Sequence, residues 1–298
     1  MRRVTLVTLS GLLALPVLLA GCGSRENPPS SRAGNTGGKP DSLAAAADSA
    51  PRAAAASAHG PVSDPRAVAL AQRLLAALGG ETAWSAARCW YFTYTVGDVR
   101  GEKLRRKHYW DRTTGQHRME GLDRRQRPYL LIHTVGHSAG ALAVRGGAPV
   151  TDTAEVRSLA RTADSLWVND STWLLLPFKL RDPGARLAYG GTKNEAAKTW
   201  DVIEVAFDPL PLAPRGRYQL YLERTTGMLE RTALVDAAGI STATYEWLGW
   251  RIFGGVLLAG ERRAVGTGTA ILFPQLAVLD AFPAGTFTAP EAVVIPAL

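Results

Sequence analysis

From Cys89 onward the chain alternates apolar and polar side chains with a period of two. Trp90, Phe92, Tyr94 and Val96 fall on one side of a strand, and Cys89, Tyr91, Thr93 and Thr95 on the other. The pattern continues through 102–111, 116–121, 129–135 and 141–150, the last with Gly146-Gly147 as a tight hairpin. It resumes at 186–190, 199–207, 218–223 and 228–235. Residues 243–265 read as a long hairpin pivoting at Gly254-Gly255, and 276–279 as a last short strand. Asp111-Arg112-Thr113-Thr114-Gly115 and Glu223-Arg224-Thr225-Thr226-Gly227 are the same turn phrase used twice, each with a glycine available for positive φ.

The period becomes helical in three places. Asp64 suits an N-cap and Pro65 a first helical position, Val68, Ala71, Leu75 and Leu78 form one stripe, and Gly79-Gly80 end it. A shorter turn over 81–88 carries Trp84, and 152–165 is helix-like. The segment 167–184, WVNDSTWLLLPFKLRDPG, reads as an amphipathic insert lying against the sheet. These elements predict a mainly β (α+β) domain over 64–288, one curved antiparallel sheet of about ten strands, with 289–298 as a proline-punctuated tail.

The N-terminus changes the picture. Arg2 and Arg3 precede an apolar run, 4–19, interrupted by Pro16 and ending in Leu19-Ala20-Gly21-Cys22. That order is the pattern of a bacterial lipobox. It predicts removal of 1–21, acylation of Cys22, and a stable hold on a bilayer. Gly23 after the cysteine points, by analogy with enterobacterial sorting, to the outer membrane, periplasm-facing. Residues 23–63, rich in Ser, Gly, Pro and Ala, predict a disordered tether with a reach of roughly 35 Å. With Cys22 acylated, Cys89 is the one remaining thiol, so no intrachain disulfide can form, and a small buried hydrophobe is its expected role.

The formal net charge is +8. Part of the excess clusters in 100–107 and 124–127, where charges suit edge strands and hairpin tips. No nucleic-acid motif accompanies them. Gly136-His137-Ser138-Ala139-Gly140 matches a nucleophile elbow, but all five histidines (59, 108, 117, 133 and 137) precede Ser138, whereas that hydrolase order needs one downstream. A serine esterase through Ser138 is thus the weakest alternative. His133 and His137 lack a third ligand for a metal, and no phosphate or dinucleotide motif is present, so neither metal nor cofactor is expected. What remains is aromatic. Trp90, Phe92, Tyr94, Trp110, Trp167, Trp173, Phe178 and Trp247 suit the lining of an apolar cleft between sheet and insert.

The opening helix ending in ALGG, the YWDRTTG hairpin, the 167–184 insert and the closing VLD strand together resemble an uncharacterised branch of the LolA/LolB-like outer-membrane lipoprotein-sorting superfamily. The resemblance covers roughly 64–288. It implies a curved antiparallel half-barrel, with helices over the concave face and an apolar cavity for acyl chains. The expected function is that of a membrane-anchored, non-enzymatic, monomeric periplasmic lipoprotein that binds an acyl chain or other apolar ligand, in lipid or lipoprotein trafficking. An envelope scaffold that binds a protein partner is the alternative.

Overall fold

The computed structural model describes residues 62–195 and 197–295. The expected acylation site Cys22, the leader and nearly all of the tether lie outside the described residues. The chain runs α1 (Pro65–Ala77), α2 (Gly80–Ala86), β1 (Cys89–Asp98), β2 (Gly101–Asp111), β3 (Gln116–Leu122), β4 (Pro128–Thr134), β5 (His137–Arg145) and β6 (Ala148–Pro149). After α3 (Thr153–Lys179) come β7 (Ala185–Glu195), β8 (Lys198–Phe207), β9 (Arg217–Glu223), β10 (Leu229–Val235), β11 (Ser241–Phe253), β12 (Val256–Ala264), β13 (Ala270–Leu272) and β14 (Leu276–Leu279).

Among the described residues, all strands belong to one 14-stranded sheet in the order 6-5-4-3-2-1-13-12-11-10-9-8-7, with β14 also on β1. The sheet is antiparallel, curved and unclosed: an open half-barrel. The hairpin expected at Gly146-Gly147 forms between β5 and β6; β13, only three residues long, is too short for any periodicity to register. Each side of β1 is a meander of neighbouring hairpins, and β1 joins the two. Both repeated turns form as predicted. Asp111 accepts from the Thr113 and Thr114 amides, and Glu223 from those of Thr225 and Thr226. Gly115 and Gly227, each at φ 73°, complete the reversals. Those amide bonds, Thr225's foremost, hold the Glu223 carboxyl down at about 2.

The larger departure is in the middle. The helix expected over 152–165 and the insert after it are one helix, α3, of 27 residues. Asp152 caps it through the Glu155 amide, and Pro177, in the last turn, forgoes one amide-to-carbonyl bond just before the helix ends. Its length follows from the topology. β6 and β7 are consecutive in the chain but lie on opposite edges of the sheet, so their connection must cross the whole concave face. A helix of this length spans about 40 Å. Ala160, Ala163, Trp167, Asp170 and Leu174 recur at three and four residues and form its buried stripe.

The main core lies between this helix, α1 and the concave sheet. Leu174, Leu175, Leu176 and Phe178 of α3 and Ala67, Ala71, Leu74 and Leu75 of α1 pack with Trp90, Phe92, Tyr94, Ile203, Leu220, Trp247 and Leu258. On the convex face the C-terminal segment doubles back. Ile295, Phe282, Phe287 and Val293 pack with Tyr91 and Tyr109. Buried Arg118 donates to the carbonyls of Thr286, Ala289 and Glu291. Arg118→Ala is therefore expected to free the last ten or so described residues first, seen as faster amide exchange and early proteolysis there, with β1–β4 still protected.

Candidate functional site

Inward-facing positions on β2 continue the β1 pattern across the register pairs Trp90–Trp110, Phe92–His108 and Tyr94–Arg106. Two of these partners are polar in an apolar layer. Each is answered by Asp170, which α3 places on its buried stripe with 0% exposure. Arg106 donates twice to the Asp170 carboxylate, at 2.6 Å from each nitrogen, and His108 Nε2 lies 2.9 Å from Oδ2. Burial alone would raise the Asp170 carboxyl; the Arg106 charge and the two sets of hydrogen bonds outweigh it and hold the group below its ordinary value. The pair fastens the middle of α3 to β2.

From His108 a chain of rings runs outward along the strands. His108 Nδ1 is 3.0 Å from His117 Nε2, and His117 Nδ1 is 2.9 Å from His133 Nε2. His117 and His133 face each other directly in the β3–β4 register. All three rings are buried. Burial is the main reason that each sits below the ordinary 6.5, His117 furthest because it has a histidine on either side. The unfolded chain therefore binds these protons first. The stability they contribute is present above about 6.5 and declines as pH falls below it.

The second fastening of α3 is on the other arm. Arg262 of β12 is fully buried, with its guanidinium 3.4 Å from the Trp247 ring centroid. It donates to the carbonyls of Ala259, Glu261 and, from α3, Leu174. Among the described residues no carboxylate pairs with it, and burial drives it well below the ordinary arginine value. Its Nε and the Trp247 Nε1 beside it have no acceptor. Trp167 Nε1, also without one, lies on the opposite arm, where the indole meets Trp110 edge-on and the buried Lys179 ammonium sits over it.

The eight aromatic residues expected to line a cleft divide accordingly. Trp90, Phe92, Tyr94, Phe178 and Trp247 are in the main core, with Trp110 and Trp173 packed against it. Trp84 of α2 closes one end, stacking on Phe178 and tilting against Trp90. Side chains of α1 and α3 pack against these rings. Beside α3, a groove of about 330 Å³ opens along its exposed edge. Trp173, Val168, Leu212 and Tyr218 form its apolar part, and Arg161, Asp164 and Arg215 its charged part. Among the described residues neither Arg161 nor Arg215 has an ion-pair partner. Leu212, at φ 63°, is strained into the left-handed region on the groove wall, with its side chain against Gly136 at the β4–β5 turn.

Ser138 lies within β5 rather than on a strand-to-helix elbow, and His137 is exposed at the start of that strand, off the ring chain. Sequence reasoning weighs His133 only against His137, and sets that pair aside; the spacing of Arg106, His108, His117, Asp170 and Arg262 carries no signal of a shared site. One signal of another kind was present: Arg106 and His108 alternate with outward positions on a strand whose inward partners are aromatic. Most of the basic clusters are surface pairs, Lys103 with Asp98, Arg105 with Glu102 and Arg127 with Asp123. No described helix is long and apolar enough to cross a membrane.

No protein-family model matches the chain, and no curated protein does. Among solved structures, a LolA superfamily protein from Nitrosomonas europaea is similar at 8% identity and TM-score 0.44, over 73% of this chain and 97% of that one. A DUF1329 family protein from Desulfovibrio piger is similar at 10% identity and TM-score 0.40, over 71% and 92%. A putative outer membrane lipoprotein-sorting protein domain from Vibrio parahaemolyticus is similar at 9% and 0.40, over 75% and 96%.

Proposed function

We propose that this chain is a non-enzymatic envelope lipoprotein, held to the outer membrane through acylated Cys22 on the periplasmic side, that binds an acyl chain bearing a polar acceptor group. The observation that supports it best is Arg262: a guanidinium at 0% exposure with no counter-ion, its Nε and the adjacent Trp247 Nε1 both lacking acceptors. Leaving donors buried and unpaired costs about 1–3 kcal/mol each, more for a charged group. A ligand ester, carboxylate or phosphate at this point would satisfy both. The apolar residues around it, from Trp90 to Leu258, would take the chain at about 0.8 kcal/mol per methylene.

In this reading α3 is a lid. Its C-terminal half now fills the place of the ligand, and the groove beside Trp173 is the way in. Arg161 and Arg215 at its mouth would draw an anionic head.

Lipids extracted from the purified chain and identified by mass spectrometry provide the test, followed by titration with dodecanoate. Arg262→Met is expected to weaken dodecanoate binding about 10- to 100-fold, the loss of one or two charge-assisted hydrogen bonds, while leaving the fold at least as stable. No bound lipid together with no saturable dodecanoate binding would overturn the reading. A stoichiometric protein partner in place of lipid would favour the scaffold alternative.

A further inference from the structure

The three-histidine chain has a polarity that its distances and one carboxylate determine. Asp170 is fully buried between two guanidinium nitrogens of Arg106, and as a carboxylate it can only accept. His108 must therefore donate through Nε2, which leaves its Nδ1 an acceptor. His117 then donates through Nε2 to His108, and His133 through Nε2 to His117. Every neutral ring is forced into the same tautomer, and the open end of the chain is the lone pair of His133 Nδ1. That atom is buried and without a hydrogen-bond partner. It faces Asp164 Oδ1 at 3.6 Å, oxygen lone pair against nitrogen lone pair. Asp164 lies on α3, six residues before Asp170, lines the groove, and accepts from the Gly136 amide at the β4–β5 turn.

We propose that the chain is a buried site for a single proton, which enters from the groove at His133 Nδ1 and is held there by Asp164. The proton converts two opposed lone pairs into an ion pair, so α3 gains a charged tie to β4 in acid that it lacks in base. With Asp170 at the far end already ionised and paired, a second proton has no acceptor left except by breaking the chain. The site thus takes one proton for three rings.

At the open end, the groove that Asp164 lines also carries Arg161 of α3 and Arg215; the other charged and titratable groups around the chain are few. β2 supplies Arg106, neutralised by Asp170. β1 supplies Tyr94, under the Arg106 guanidinium. β4 supplies Tyr129, and Arg145 of β5 is engaged by Glu155 of α3. Arg118 and Glu120 pair with each other, with Arg118 directed to the C-terminal segment. Of these, Asp164 is the one carboxylate that faces the open end of the chain. The site does not depend on what the groove binds.

Nitrogen-15 spectra of the histidine rings in the full chain, followed from pH 8 to pH 4, test it. At pH 8 the signals of His108, His117 and His133 should all be those of Nε2–H tautomers. On acidification one proton should be taken up with a single midpoint reported by all three, first at His133 Nδ1. Asp164→Asn should leave the tautomers unchanged and lower that midpoint by about 1 pH unit or more, from loss of the facing charge. His137→Ala, on the exposed end of β5, should change nothing. Any ring carrying Nδ1–H at pH 8 would overturn the proposal. So would three independent midpoints, a midpoint indifferent to Asp164→Asn, or unfolding before any ring is protonated.

Discussion

Replacing Asp170 by alanine is expected to destabilise the domain by about 3–5 kcal/mol, read as a shift of the urea unfolding midpoint at unchanged slope. The carboxylate accepts from Arg106 twice and from His108 once, and none of the three residues has more than marginal contact with water. Its removal leaves a charged guanidinium inside the protein with no counter-ion, and unties the one polar fastening between α3 and β2. The double replacement Arg106→Met with Asp170→Leu should recover most of the loss, because it removes both charges instead of stranding one. The pH dependence has a definite sign. The folded carboxyl sits below its ordinary value, so the pair contributes fully above about pH 4 and is lost as pH falls through the folded value. Asp170→Ala should accordingly show a flatter acid limb than the parent chain. A loss below about 1 kcal/mol would mean that water reaches this pair.

Trp90→Ala should cost about as much, 3–5 kcal/mol, by a different route. Trp90 is fully buried on β1, the strand at which both arms of the sheet meet, and pairs with Trp110 on one side and Val278 on the other. Its indole donates to the Ala87 carbonyl just after α2 and packs against Trp84. Truncation opens a void under α2 and orphans that carbonyl together. Trp90→Phe keeps most of the volume and should lose appreciably less. Equal losses for the two variants would show that the hydrogen bond, not the packing, dominates.

Much of the sheet could be read from alternation and turn chemistry, because those signals are local. The two Thr-Thr-Gly turns, the Gly254-Gly255 pivot and the Asp64 cap each depend on a handful of neighbouring residues. β13 escaped because pairing, not its own sequence, makes it a strand. α3 was divided at Ser165 because Asn169, Asp170 and Ser171 look like a loop in a linear reading. Asn169 donates to Asp170 and Ser171 to the Val168 carbonyl, but the Asp170 carboxylate is satisfied by partners far away in the chain: Arg106 is 64 residues from it. The ring chain was illegible for the same reason. Histidines at 108, 117 and 133 become neighbours only when three strands are laid side by side, and nothing in their spacing announces it. Alternation places Trp90, Phe92 and Tyr94 on one face of β1 and in the main core, but alternation alone cannot tell a lined hollow from a filled one.

The path of α3 from one edge of the sheet to the other has a kinetic consequence. Each arm is a run of adjacent hairpins that can zip up quickly, whereas the seam between them joins residues as far apart as Thr95 and Leu272, separated by 177 positions. Loop closure of that order comes late and slowly. The two arms should therefore gain protection from exchange early in refolding, and the β1–β13 seam should be the last to do so.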